Sequence, residues 1–77
     1  MFFNVKYRSS SAVRAITANP ISGEVIVSFN NGLTYSYERV NRLAILNLLA
    51  NDNMSLGFWV NANCLSYDSG AVAYAVA

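Results

Sequence analysis

The sequence predicts an α+β domain, a small antiparallel β-sheet of hairpin or meander type packed against one or two short helices. Three observations lead there. Val25, Val27 and Phe29 alternate with Glu24, Ile26 and Ser28, and after Asn30-Asn31-Gly32 the alternation resumes as Leu33, Tyr35 and Tyr37 against Thr34 and Ser36. That is the period of two consecutive strands. Between Val40 and Ala50 the period of two gives way to a dense aliphatic run at helical spacing. Asn19-Pro20-Ile21-Ser22-Gly23 and Asp68-Ser69-Gly70 supply turn chemistry between the apolar segments.

The elements follow in order. Phe3, Val5 and Tyr7 alternate with Asn4, Lys6 and Arg8 as a half-buried strand, which Ser9-Ser10-Ser11 interrupts. A second extended segment runs from about Ala12 to Ala18. Val13 and Ile16 have opposite parity there, so burying both requires a bulge or bend between them. Pro20 with its fixed φ, followed by Gly23, makes the next turn.

The hairpin admits two registers. A two-residue Asn31-Gly32 turn pairs Ser28 with Tyr35 and sends the two apolar sets to opposite faces. A three-residue loop with Gly32 left-handed pairs Phe29 with Leu33, Val27 with Tyr35 and Val25 with Tyr37. A slip of one residue moves every side chain across the sheet, so burial selects the second register. A Phe29 ring buried that way implies a loss of about 3–5 kcal/mol on truncation to Ala.

From Val40 to Ala50, Val40, Leu43, Ala44, Ile45, Leu46, Leu48 and Leu49 form a helix whose apolar arc is wider than the roughly 100° that one sheet face covers. Asn51-Asp52-Asn53 ends it. Ser55 is placed to cap a short second helix carrying Phe58, Trp59 and Ala62, which Gly57 weakens. Ala71 to Ala77 closes the chain as a strand with one small-residue face.

Composition narrows the function. At 77 residues the chain makes a single domain spanning 1–77, near the lower limit for a core that folds unaided. Hydrophobic residues make up 55% and charged residues only 12%, and the remaining polarity is largely ten Asn and nine Ser. Intrinsic disorder, which needs low hydrophobicity and high charge, is excluded. A net charge of +1 argues against a strongly basic nucleic-acid binder.

With no His and one Cys, Cys64, there is neither a zinc ligand set nor an intrachain disulfide, and Cys64 reads as a buried small hydrophobe. The four carboxylates, Glu24, Glu38, Asp52 and Asp68, are scattered, and no two glycines stand at phosphate-loop spacing. The stretch from Asn51 fails as a calcium loop, with Leu56 where Gly is required and Ala62 where Glu is required. No catalytic residue, cofactor or metal is therefore expected. The opening residues lack the pattern of a signal peptide, and no apolar run approaches the length of a membrane span. The expected location is the cytoplasm.

Several of these residues resemble the KTSC family, the short domain named after the C-terminal extension of some lysyl-tRNA synthetases. They begin with Ser10-Ser11-Ala12-Val13 and Ile16. Gly23, then Val25, Val27 and Phe29, Gly32, the hallmark Tyr35-Ser36-Tyr37, and Val40 continue the pattern. Leu48-Leu49, Ser55-Leu56-Gly57 and the aromatic pair Phe58-Trp59 near Asn61 complete it. The resemblance covers about residues 9–65, with 66–77 as an extra C-terminal segment. Asn41 stands where the family has Pro, and Val60 intervenes before Asn61. The resemblance implies a small antiparallel sheet with helices against it, and RNA binding has been proposed for the family from its synthetase context.

Two functional expectations follow. The first is a non-enzymatic interaction module, protein-binding or self-associating, of a kind that also occurs in bacteriophages. Its warrant is the excess of apolar residues over charges. The candidate interface residues are Ile45, Leu48 and Leu49 on the helix, or Val72, Tyr74 and Val76 on the last strand, and a symmetric homodimer is the expected closed form. Replacing Leu48 or Leu49 by Asp then yields a soluble monomer. The alternative is single-stranded RNA binding, with Tyr35 and Tyr37 stacking on bases and Arg39 and Arg42 on phosphates. The register argument instead turns both tyrosine rings toward the core.

Overall fold

The computed structural model describes residues 1–6 and 10–76. Its elements are β1 (Phe3–Asn4), β2 (Val13–Asn19), β3 (Glu24–Phe29), β4 (Thr34–Glu38), α1 (Arg42–Ala50), α2 (Leu56–Val60) and β5 (Val72–Val76). The strands form one antiparallel sheet in the order β1-β2-β3-β4-β5, a meander into which the helices are inserted between β4 and β5. The predicted α+β architecture is the one observed.

The hairpin takes the three-residue loop. Val25 lies opposite Tyr37 and Val27 opposite Tyr35. Phe29 N–H donates to the Leu33 carbonyl at 2.8 Å, and Gly32 N–H donates to the Phe29 carbonyl. Gly32 has φ 89°, the left-handed conformation that this loop demands. The bulge expected in β2 is also present. Val13 pairs with Phe29 and Ala15 with Ser28, so Arg14 is the extra residue, and both Val13 and Ile16 are buried.

The turn between β2 and β3 is tied from inside and outside. The Asn19 side-chain oxygen accepts from Ile21 and Ser22 N–H, and Val40 N–H donates to the Gly23 carbonyl at 2.9 Å. Gly23 has φ 80°, and a Cβ there would sit 3.0 Å from the Val40 carbonyl oxygen. This position demands glycine on both counts.

The helices start on side-chain caps. The Asn41 oxygen accepts from Ala44 N–H and the Ser55 hydroxyl from Phe58 N–H. α1 therefore begins two residues later than the apolar run suggests. Ile45 and Leu48 are its fully buried residues, joined in one core by Leu56, Trp59, Val60 and the sheet residues Val13, Ile16, Ala18, Val25, Val27 and Tyr37. The Trp59 ring N–H donates to the Ala44 carbonyl at 3.0 Å and locks α2 to α1. Both helices thus pack on the inner face of the sheet, and Thr17, Ile26, Ser28, Thr34 and Ser36 lie on the outer face.

Three expectations are corrected. The first strand is regular over Phe3–Asn4 alone, and Phe3 is exposed at the sheet edge while Val5 is buried. The expected positions Tyr7 and Arg8, like Ala77 at the far end, lie outside the described residues. Ala62 is not on α2, because the chain leaves it through a π-helical turn, Asn61–Leu65, in which Ser66 N–H donates to the Asn61 carbonyl at 2.8 Å. Phe29 is half-buried rather than enclosed, packing against the buried core without belonging to it.

Candidate functional site: an aromatic groove on the inner face

The helices do not cover the whole inner face. Beyond α2, the π-helical turn swings Cys64 into the core and Leu65 outward. Tyr67–Ser69 then forms one 3₁₀ turn, and Gly70, at φ 73°, reverses the chain into β5. Between this connection and the β3–β4 hairpin lies a groove of about 700 Å³. Phe29, Leu33, Tyr35, Tyr37, Leu65 and Tyr67 supply its bulk, with Asn31 and Ser66 as polar members. Ala71, just before β5, and Ala73 within it line the groove, and their small side chains leave the space open.

Register places the aromatic rings. Phe29, Tyr35 and Tyr37 share the inner face because they are paired at even spacing across the hairpin. Phe29 and Tyr35 meet edge to face with centroids 6.2 Å apart, and Tyr35 lies 6.3 Å from Tyr37. Tyr37 is buried, Tyr35 is half-buried, and Tyr67 is almost fully exposed at the mouth. The groove thus grades from closed to open along its aromatic residues.

Its electrostatics are neutral. Among the described residues, no Lys, Arg, Asp or Glu lines it. Burial pushes the Cys64 thiol up to about 12, and burial, followed by the nearby Cys64 and Tyr35, raises the Tyr37 phenol above its ordinary value. Both groups are uncharged at neutral pH. A nucleophilic thiol is favoured by the opposite shift. Among the described residues no three His, Cys, Asp or Glu side chains come together to hold a metal ion. Among the same residues, no helix is long and apolar enough to cross a membrane.

The candidate residues named from sequence are distributed as follows. Ile45 and Leu48 are wholly enclosed in the core, so neither is available to a partner, and Leu49 is half-buried against it. Val72, Tyr74 and Val76 are exposed on the outer side of β5, opposite Glu38, Ser36 and Thr34. Tyr35 and Tyr37 do stand together in the groove. Arg39 and Arg42 are exposed but do not line it, and Arg39 occupies a left-handed conformation, φ 62°, at the exit from β4. Leu65 and Tyr67 were not singled out from sequence. An aromatic ring isolated among Ser, Asp and Gly is the only signal that marked Tyr67.

The chain matches no family model, and a search of the curated proteins gives no match. Its structure is similar to the crystal structure of a KTSC domain protein from Yersinia pestis, with a TM-score of 0.71 at 18% sequence identity, covering 100% of each chain. The chain has a KTSC-like fold.

Proposed function

We propose that this chain is a non-enzymatic protein-interaction module whose aromatic groove takes an uncharged, apolar segment of a partner protein. The observation that carries the reading is the lining itself, which among the described residues is several aromatic and leucine side chains with no charged group. Large, fairly rigid aromatic side chains give contact area at low entropy, which suits anchoring one or two apolar side chains of a peptide. RNA binding finds less support, because phosphate recognition rests on cations and Arg39 and Arg42 stand outside the groove.

A random peptide library displayed against the protein tests this. Selected peptides are expected to be uncharged and to carry aromatic or aliphatic anchors. Titrating one into the labelled protein should shift the resonances of Leu33, Tyr35, Leu65 and Tyr67 first. A salt-sensitive shift of those residues with single-stranded RNA, and none with any peptide, would replace this reading by the nucleic-acid one.

A further inference from the structure

Among the described residues nothing pairs with the outer edge of the last strand, whose sequence has an unusual symmetry. From Ala71 to Ala77 the sequence reads Ala-Val-Ala-Tyr-Ala-Val-Ala, the same in both directions about Tyr74. β5 bonds to β4 on one side and ends the sheet on the other. Edge strands are ordinarily shielded by charges, Pro or bulges, and this segment has no charge, no Pro and an unbroken register against β4. Its outer-face side chains, Val72, Tyr74 and Val76, are 39%, 51% and 44% exposed.

The direction of its backbone groups follows from the hairpin. Phe29 bonds to Leu33, so by alternation Val27–Tyr35 and Val25–Tyr37 are the hydrogen-bonded pairs of β3 and β4. Thr34, Ser36 and Glu38 therefore bond toward β5, where they meet Val76, Tyr74 and Val72. Ala73 and Ala75 are left directing their N–H and C=O groups at the open edge.

We infer that β5 pairs with β5 of a second copy of this chain, antiparallel about a two-fold axis through Tyr74, to make one continuous sheet. A two-fold antiparallel pairing needs a self-complementary edge, and the palindrome supplies it. Tyr74 meets the partner's Tyr74 as a non-hydrogen-bonded pair, where side chains approach most closely. Ala73 and the partner's Ala75 exchange both backbone bonds, and Val72 meets the partner's Val76 on the outer face. The axis sends the two Glu38 carboxylates to opposite ends of the paired strands, so no like charges meet. A five-residue edge is a small interface, so the dimer forms and dissociates with concentration. This pairing stands apart from the groove, and it sets two grooves on the same side of the joined sheet.

Sedimentation from low micromolar to near-millimolar protein should show a monomer–dimer equilibrium. Ala75→Pro removes an outward N–H while leaving the β4 ladder intact, and it should raise the dissociation constant about tenfold or more. Tyr74→Cys should give a covalent dimer on mild oxidation. Val72→Cys, which faces residue 76 of its partner, should not, and the native Cys64 is buried. The cysteine variants keep the test decisive should Ala75→Pro fold poorly. A monomer at every concentration overturns the inference, as does a dimer that Tyr74→Cys fails to trap or that both cysteine variants trap equally. Peptide binding in the groove is measured separately with Ala75→Pro, whose substitution lies outside the lining.

Discussion

Two halves of the same sheet face are built from different residues. Beneath α1 and α2 the sheet presents Val13, Ile16, Ala18, Val25 and Val27, all nearly or wholly closed to solvent. Toward the hairpin end, where the helices stop, it presents Phe29, Leu33 and Tyr35, which are half-buried or exposed. β-branched aliphatics suit a pleated surface that a helix covers. Aromatic rings tolerate partial cover, since a tyrosine offers its body to neighbours and its hydroxyl to water. The side chains change from enclosed aliphatics to partly exposed aromatics within one strand pair.

The largest expected effect lies in the covered half. Leu48→Ala should destabilise the fold by about 2–5 kcal/mol in urea denaturation, because the side chain is fully buried and its site cannot collapse freely. For the same reason Leu48→Asp should unfold the protein rather than yield a soluble monomer. A folded Leu48→Asp variant would break the distinction between the halves.

The boundary between them should show itself at high pH. Tyr37 and Cys64 close the inner end of the groove, and burial raises both groups. Their neutral forms are favoured in the folded state, so their contribution to stability is complete below the unfolded values. It is lost as pH rises, for Cys64 between 9.0 and about 12. Cys64 adds a slope of up to about 1.4 kcal/mol per pH unit across that window. Denaturation midpoints across that window should fall, and Cys64→Ala should flatten the first part of the decline. An unchanged slope in that variant would place the alkaline sensitivity elsewhere.

How much of this was legible in the sequence depends on what selects each feature. The hairpin register and the bulge at Arg14 were legible, because parity and burial leave a single solution for each. The buried side of α1 was not. Leu43 and Leu46 are exposed while Ile45 and Leu48 are enclosed, and aliphatic residues all round the helix leave no polar face to reveal which side turns in. The π-helical turn has no hydrophobic period of its own. The groove is the space its neighbours leave, so its position depends on where α2 ends and on the small Ala71 and Ala73 rather than on a motif.

At the boundary itself, Phe29→Ala should destabilise by about 1–3 kcal/mol, below the range for a fully enclosed ring. The ring has its edge contact with Tyr35 but is only half-buried. A loss as large as that of Leu48→Ala would mean that the groove is closed in solution.

The smallest effect on stability is expected at Leu33→Ser, and it sharpens the contrast most. Leu33 is 52% exposed and lines the groove, and its contribution to the hairpin is made by its backbone carbonyl, which accepts from Phe29 N–H. Serine preserves that bond and can adopt the same extended backbone. The stability measured by urea denaturation should therefore stay within about 0.5 kcal/mol of the native protein, as for ordinary surface substitutions. Peptide affinity should nevertheless fall, because an apolar wall of the groove has been replaced by a hydroxyl. Leu48→Ala behaves oppositely, losing stability while leaving the groove lining chemically unchanged. A Leu33→Ser protein with native affinity would show that the groove's open end is not where the partner binds. Lost affinity at constant stability separates recognition from folding on this face of the sheet.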